Sequence, residues 1–206
     1  MSLITVQQAL ARIYTDSKLR DDFLTNPDVV GRTLKLNCVE IQQLSKLSKK
    51  EVNMYASSLR YKRLGEIRQL LPLTNKVLGN ELNKLFFQYA QTHLPQGNKK
   101  HLQDAIAFTK FILNTVIKDV NPDWLWDIVK YEQMWLQALD NQKLLMHNRF
   151  NYPVCTLIDS LQAANFAPKS KQKANITIWF RLSQKHRWHH LTLPVIDLQP
   201  IKLKIF

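Results

Sequence analysis

Tyr55-Ala-Ser-Ser-Leu-Arg-Tyr-Lys-Arg-Leu-Gly-Glu-Ile-Arg-Gln-Leu-Leu-Pro-Leu-Thr74 is the stretch on which the reading of this chain turns. Tyr55, Leu59, Leu64, Ile67 and Leu71 recur at steps of three, four and five residues, close to the helical period. Arg60, Lys62, Arg63 and Arg68 take the remaining surface, and Pro72 stops the helix. The stretch predicts one long helix, apolar toward a core and basic toward solvent. Arg63 and Glu66, three residues apart beside Leu64 and Ile67, lie at the core boundary. One or both are expected to anchor the helix to its neighbours, because an unpaired charge there is costly.

Short helices precede it. Val6, Ala9, Leu10, Ile13 and Tyr14 form one apolar stripe, and Leu19, Phe23 and Leu24 a shorter second one. Asn26-Pro27 predicts a helix start with Asn as cap and Pro at the first position. Asn37-Cys-Val-Glu40 and Ser48-Lys-Lys-Glu51 each match a capping box, in which cap side chain and Glu satisfy each other's backbone N–H. Beyond Pro72, helices are predicted through Leu82, Leu85, Phe86 and Tyr89, from about 101 to 119, and from Asp123 to about Leu139. A polar loop at 95–100 separates the first two.

The last third alternates. Asn175–Leu182, Arg187–Leu193 and Ile201–Phe206 read as strands, with Ile176, Ile178, Phe180 and Leu182 expected on the buried face. Residues 155–164 read as a short helix and 165–173 as a Lys-rich linker. The fold class expected is α-rich α+β: a multi-helix N-terminal bundle, then a small C-terminal domain with a three-stranded antiparallel sheet. The domains expected are 1–142, helical throughout (short helices over 1–47, longer ones over 48–142), and 143–206, α+β.

Composition narrows the function classes. The 206 residues are 45% hydrophobic and 22% charged, enough apolar content for a core and too little charge for disorder. The net charge of +13 attracts polyanions, anionic membranes or an acidic partner. It is uneven: residues 141–206 hold ten Lys/Arg against two acids, and 119–140 hold five acids against one Lys. Cys38 and Cys155 have no metal-ligand spacing and suggest a reducing compartment. The first residues lack a signal-peptide pattern, and no window is apolar enough for a membrane span. A cytoplasmic protein is expected, with no membrane partner.

Catalytic patterns are missing. Four scattered glycines build no phosphate loop, and no nucleophile elbow is present. His186, His189 and His190 cluster, but adjacent residues on a strand face opposite ways, so the expected metal and cofactor content is none. Asp123 and Asp127 are expected to supply negative charge to the first turn of their helix. The chain is read as a non-enzyme. The candidate binding residues for a partner or nucleic acid are Arg60, Lys62, Arg63, Arg68, Lys169, Lys171, Lys173, Lys202 and Lys204. Tyr61, Trp179 and Trp188 could stack on bases beside them.

Ser58-Leu59, Lys62-Arg63, Glu66, Leu71-Pro72 and Thr74, followed by Gly79, Leu85-Phe86 and Tyr89, resemble the helical domain of a bacterial family of unassigned function to which DNA binding is ascribed. They are similar as well to partner subunits of multinuclear non-heme iron oxidases, of the methanobactin-biosynthesis partner type. Residues 10–50, with Leu19-Arg-Asp-Asp-Phe-Leu24 and Asn26-Pro27, resemble the LigA-type helical domain beside some ring-opening dioxygenases. The resemblance implies a helical domain followed by a small β-containing one. It implies an accessory or adaptor subunit that docks on an iron-dependent modifying enzyme and presents its peptide substrate along a sheet edge, here Ile201–Phe206. The other reading is a basic nucleic-acid-binding protein.

Overall fold

A computed structural model describes residues 3–94, 99–115, 122–140, 143–163 and 171–195. Among them are ten helices: α1 (Leu3–Thr15), α2 (Ser17–Thr25), α3 (Pro27–Thr33), α4 (Cys38–Leu44), α5 (Lys49–Leu70), α6 (Pro72–Leu78), α7 (Asn80–Thr92), α8 (Lys100–Asn114), α9 (Leu125–Asp140) and α10 (Val154–Gln162). Three strands complete the set: β1 (Leu145–Phe150), β2 (Asn175–Phe180) and β3 (His189–Pro194). The fold is the expected helix-rich one with a small antiparallel sheet. No helix among the described residues is long and apolar enough to cross a membrane.

Contacts divide the chain into two compact units, Met1–Leu70 with Gly79–Asp104, and Leu71–Leu78 with Ala105–Phe206. This grouping differs from a boundary near 142, because α6, most of α8 and α9 go with the sheet.

In the first unit the local signals act as their chemistry requires. Asp16 caps α2 by accepting from Leu19 N–H at 3.0 Å. Asn37 and Glu40 close one capping box, with both bonds at 2.9 Å. Ser48 and Glu51 close the other, at 3.0 and 3.2 Å. Asn26 stands at the cap of α3 with Pro27 behind it, but its side chain makes no capping bond. Ala9, Ile13, Phe23, Leu34, Leu36, Ile41, Leu44 and Val52 form the core that these short helices share. Gly31 allows α3 and α4 to close: a Cβ there would meet Ile41 Cγ1 at 2.5 Å. Helix α5 ends before Pro72 as expected, and buries Val52, Ala56, Leu64 and Ile67. Tyr55, expected inside, is exposed and packs its ring on Tyr14 at 4.6 Å.

The second unit is built around α9. Glu132, 6% exposed, accepts from the N–H groups of Leu73 at 2.7 Å and Thr74 at 2.9 Å, the second and third residues of α6. It therefore caps a helix that starts with Pro and has no cap residue of its own. One turn earlier, Asp127 accepts from Asn151 and Tyr152 N–H at 2.7 and 2.8 Å and fixes the bend between β1 and α10. Asp127 stands in the first turn of α9 as expected, and is in addition a buried tie between elements. Ile128, Tyr131, Phe150, Leu157, Leu161 and Trp179 fill the core beneath.

The sheet order is β1-β2-β3, antiparallel throughout. Leu145 pairs with Phe180 and Phe150 with Asn175 across β1 and β2; Asn175 pairs with Pro194 and Phe180 with His189 across β2 and β3. Two expectations change, and one is untouched. Strand β1, whose Leu-Met-His-Asn-Arg-Phe does not alternate legibly, joins the sheet unforeseen, while the expected strand at 201–206 lies outside the described residues. Strand β2 stops at Phe180, leaving Leu182 81% exposed. The faces of β2 are reversed: Asn175, Thr177 and Trp179 are buried, and Ile176, Ile178 and Phe180 lie on the other side. Trp179 decides this, because its ring fills the space between Tyr131, Phe150 and Trp135 at centroid distances of 5.7, 6.2 and 6.4 Å.

Two outcomes are expected. Gly31→Ala should destabilise the first unit by about 1–3 kcal/mol, measured by denaturant unfolding, since the buried Ile41 side chain would have to shift. Burial raises the Glu132 carboxyl above its ordinary value near 4.5, opposed in part by the bonds from α6. An acid with a raised folded value holds its proton longer in the folded chain, so its contribution is full below the unfolded value and falls as pH rises through the folded one. The melting temperature of the native chain minus that of Glu132→Gln should therefore shrink from about pH 4 to pH 7. A difference that widens with pH contradicts the assignment.

Candidate functional site

The basic face of α5 is less free than its sequence suggests. Arg63 donates through Nε and Nη2 to both oxygens of Asp104, at 3.0 and 2.9 Å, and through Nη2 to His93 O at 3.2 Å. The pair is buried, with side chains 13% and 4% exposed. Tyr89 adds its hydroxyl to Asp104 at 2.8 Å, and burial together with that bond raises the phenol well above its ordinary range. The guanidinium also lies over the Phe86 ring at 5.4 Å. Arg63 is therefore the anchor expected of it, and Asp104 is the partner that sequence alone could not supply. Arg68 donates to Asn83 at 2.8 Å. Arg60 is half-buried and Lys62 exposed. Lys171 and Lys173 are exposed on the approach to β2, whereas Lys169, Lys202 and Lys204 lie outside the described residues.

The sheet offers a surface that the candidate list missed. Its register sets nine residues in a grid on one face: Leu145, Phe180 and His189 in one row, His147, Ile178 and Leu191 in the next, and Arg149, Ile176 and Leu193 in the third. Each row holds two apolar side chains and one basic or imidazole side chain. Leu145 is 60% exposed, Leu191 51%, Leu193 46% and Phe180 39%. Such contiguous apolar exposure marks an interaction surface more often than a solvated one. The signal in the sequence is the Ile-Ile-Phe face of β2, whose hydropathy alone points to the core. Asp159 is the one acid in the sequence between 143 and 195, and it stands on α10.

Beside β3 and the start of α10 lies an open recess of about 460 Å³, to which Leu191 of the grid also contributes. His190 and Thr192 line it from β3, Cys155 and Thr156 from α10, and Lys173 and Asn175 from the entry to β2. His189 and His190 are thus separated by the sheet, as strand geometry requires. The imidazole of His190 lies over Trp179 at 6.5 Å and meets Trp135 edge-on at 5.5 Å. Thr192 links Cys155 Sγ at 3.2 Å to the Thr177 hydroxyl at 2.8 Å. No family model matches the chain, and no curated protein matches it.

Arg63→Ala should cost about 3 kcal/mol of stability, because it leaves the Asp104 carboxylate buried without its cation. The double variant Arg63→Met/Asp104→Leu should lose less than Arg63→Ala alone, as read from denaturant midpoints. Equal midpoints for Arg63→Ala and the native chain would remove the anchor role.

Proposed function

We propose that the chain is a non-catalytic accessory protein that holds a segment of another protein on the open face of its sheet. The observation that carries the reading is the nine-residue grid, six apolar side chains interleaved with Arg149, His147 and His189. Its chemistry selects the occupant: an extended or helical segment with an apolar stripe flanked by acidic residues. Apolar contact supplies the association energy, and the basic positions supply orientation and discrimination against basic segments.

The resemblance to partner subunits of non-heme iron oxidases supports placing such a protein beside a peptide-modifying enzyme, with the held segment being that enzyme's substrate or part of the enzyme. Strand addition at a sheet edge is compatible with this, since β1 and β3 each pair on one side among the described strands. The nucleic-acid reading draws less support: of the four candidate cations Arg60, Lys62, Arg63 and Arg68 on α5, Arg63 is committed to Asp104 and Arg68 to Asn83.

The test is selection from a random peptide library against the full chain, followed by titration of the recovered peptides. Peptides enriched in alternating apolar and acidic residues are expected, and Leu191→Asp or Arg149→Glu should each weaken them at least tenfold, about 1.4 kcal/mol. Recovery of basic peptides, or peptides indifferent to both variants, overturns the reading. So does tighter binding of phosphatidylglycerol vesicles, or of a 20-mer duplex, that the same variants abolish.

A further inference from the structure

The hydrogen bonds of the sheet fix which backbone groups point outward at its edges. Arg181 N–H donates to Leu144 O at 3.0 Å, and Val195 N–H donates to Ala174 O at 2.9 Å. In an antiparallel ladder the residues that exchange bonds alternate along each strand. With Leu145 opposite Phe180, Met146, Asn148 and Phe150 therefore turn their N–H and C=O groups toward β2. Leu145, His147 and Arg149 turn theirs away from it. All three residues are exposed, and their backbone groups have no hydrogen-bond partner among the described residues. The far edge is poorer. By the same rule His190, Thr192 and Pro194 point outward on β3, but Pro194 has no N–H, and Thr192 Oγ1 lies 3.2 Å from Cys155 Sγ of α10. Strand β1 is thus the pairable edge.

Three outward residues, with His147 in the middle, suit a two-fold axis. A second β1 laid antiparallel with His147 opposite His147 sets Leu145 opposite Arg149 and Arg149 opposite Leu145. Each of these pairs can exchange two backbone bonds. Charge selects this register. Centring on Arg149 would oppose two guanidinium groups, and centring on Leu145 would set Lys143 against His147; like charges directly opposite are destabilising. With His147 central, two neutral imidazoles can pair, one ring N–H donating to the bare nitrogen of the other, whereas two protonated rings repel. Leu145, Arg149, Ile176, Ile178 and Phe180 surround His147 on this face, and α9 packs on the other, behind Met146 and Phe150. No acid among the described residues of this face offsets that repulsion.

We infer that a second copy of this chain adds at the β1 edge, joining two three-stranded sheets into one continuous antiparallel sheet with His147 on the two-fold axis. The edge uses backbone groups, whereas the proposed docking surface uses side chains on the face. The two grids therefore meet side by side and both stay open. The inference stands whether or not a segment of another protein binds that face.

The test uses the full native chain with no peptide present. Sedimentation should show a concentration-dependent dimer. Amide exchange at Leu145, His147 and Arg149 should slow at least tenfold between about 20 µM and about 1 mM chain, while that at His190 and Thr192 does not. Association should weaken from about pH 8 to about pH 5.5 as the imidazoles charge. The net charge of +13 on each copy opposes association, so the dimer should tighten as salt screens it. His147→Pro removes the central N–H groups yet spares the bonds to β2, and should abolish the dimer with unchanged tryptophan emission. Should that variant fail to fold, the exchange of the native chain decides alone. A chain still monomeric at about 1 mM overturns the inference. So does a dimer that leaves those three amides unprotected, tightens as pH falls or loosens as salt rises, or a folded His147→Pro chain that dimerises as the native one does.

Discussion

The second unit depends on two buried carboxylates placed on one helix. Glu132 and Asp127 stand on α9 and accept four backbone N–H groups between them, from the start of α6 and from the bend between β1 and α10. Neither makes a salt bridge among the described residues. The bonds from peptide N–H groups offset part of the cost of burying each carboxyl, which burial still holds above its ordinary value. Helix α9 thereby becomes the frame on which chain segments distant in sequence are hung. Trp188 extends the same frame by donating its indole N–H to Ala138 O at 3.0 Å, which ties the β2–β3 connection to the helix. In the first unit, Arg63 does comparable work with the opposite charge, binding α5 to Asp104 and to the end of α7.

What the sequence made legible was local. Both capping boxes, the stop at Pro72 and the buried residues of α7 follow from groups within four positions of one another. What it hid was pairwise and distant. The alternation of Asn175–Phe180 offers two self-consistent faces, and hydropathy favours Ile, Ile and Phe over Thr and Trp. The outcome is set by ring volume and by Tyr131, Trp135 and Phe150, which come from α9 and β1. Strand β1 exists because β2 pairs with it, and its own Met-His-Asn-Arg carries no apolar period. Asp127 resembles any acidic residue near a helix start until the bend at Asn151 and Tyr152 comes to it. The recess is assembled from three segments, 153–156, 173–175 and 190–194, and no single one of them signals it.

The sheet consequently has two unlike faces. One is anchored by aromatic packing and leaves a lateral recess where β3 runs past α10. The other presents Leu145, Ile178 and Leu191 in a continuous strip with basic side chains beside it. Among its cations, Arg63 is a structural tie to Asp104, and Arg149 stands in register beside Ile176 and Leu193.

The aromatic residues are segregated in a way that affects how the molecule can be watched. All five tryptophans, Trp124, Trp126, Trp135, Trp179 and Trp188, belong to the second unit, and the first unit has four tyrosines, Tyr14, Tyr55, Tyr61 and Tyr89, and no tryptophan. Indole emission is consequently a private optical channel for the sheet-bearing unit, whereas far-ultraviolet dichroism sums the helices of both. Melting followed through the two channels separates cooperative loss of the whole chain from sequential loss of its units, without labels or truncation.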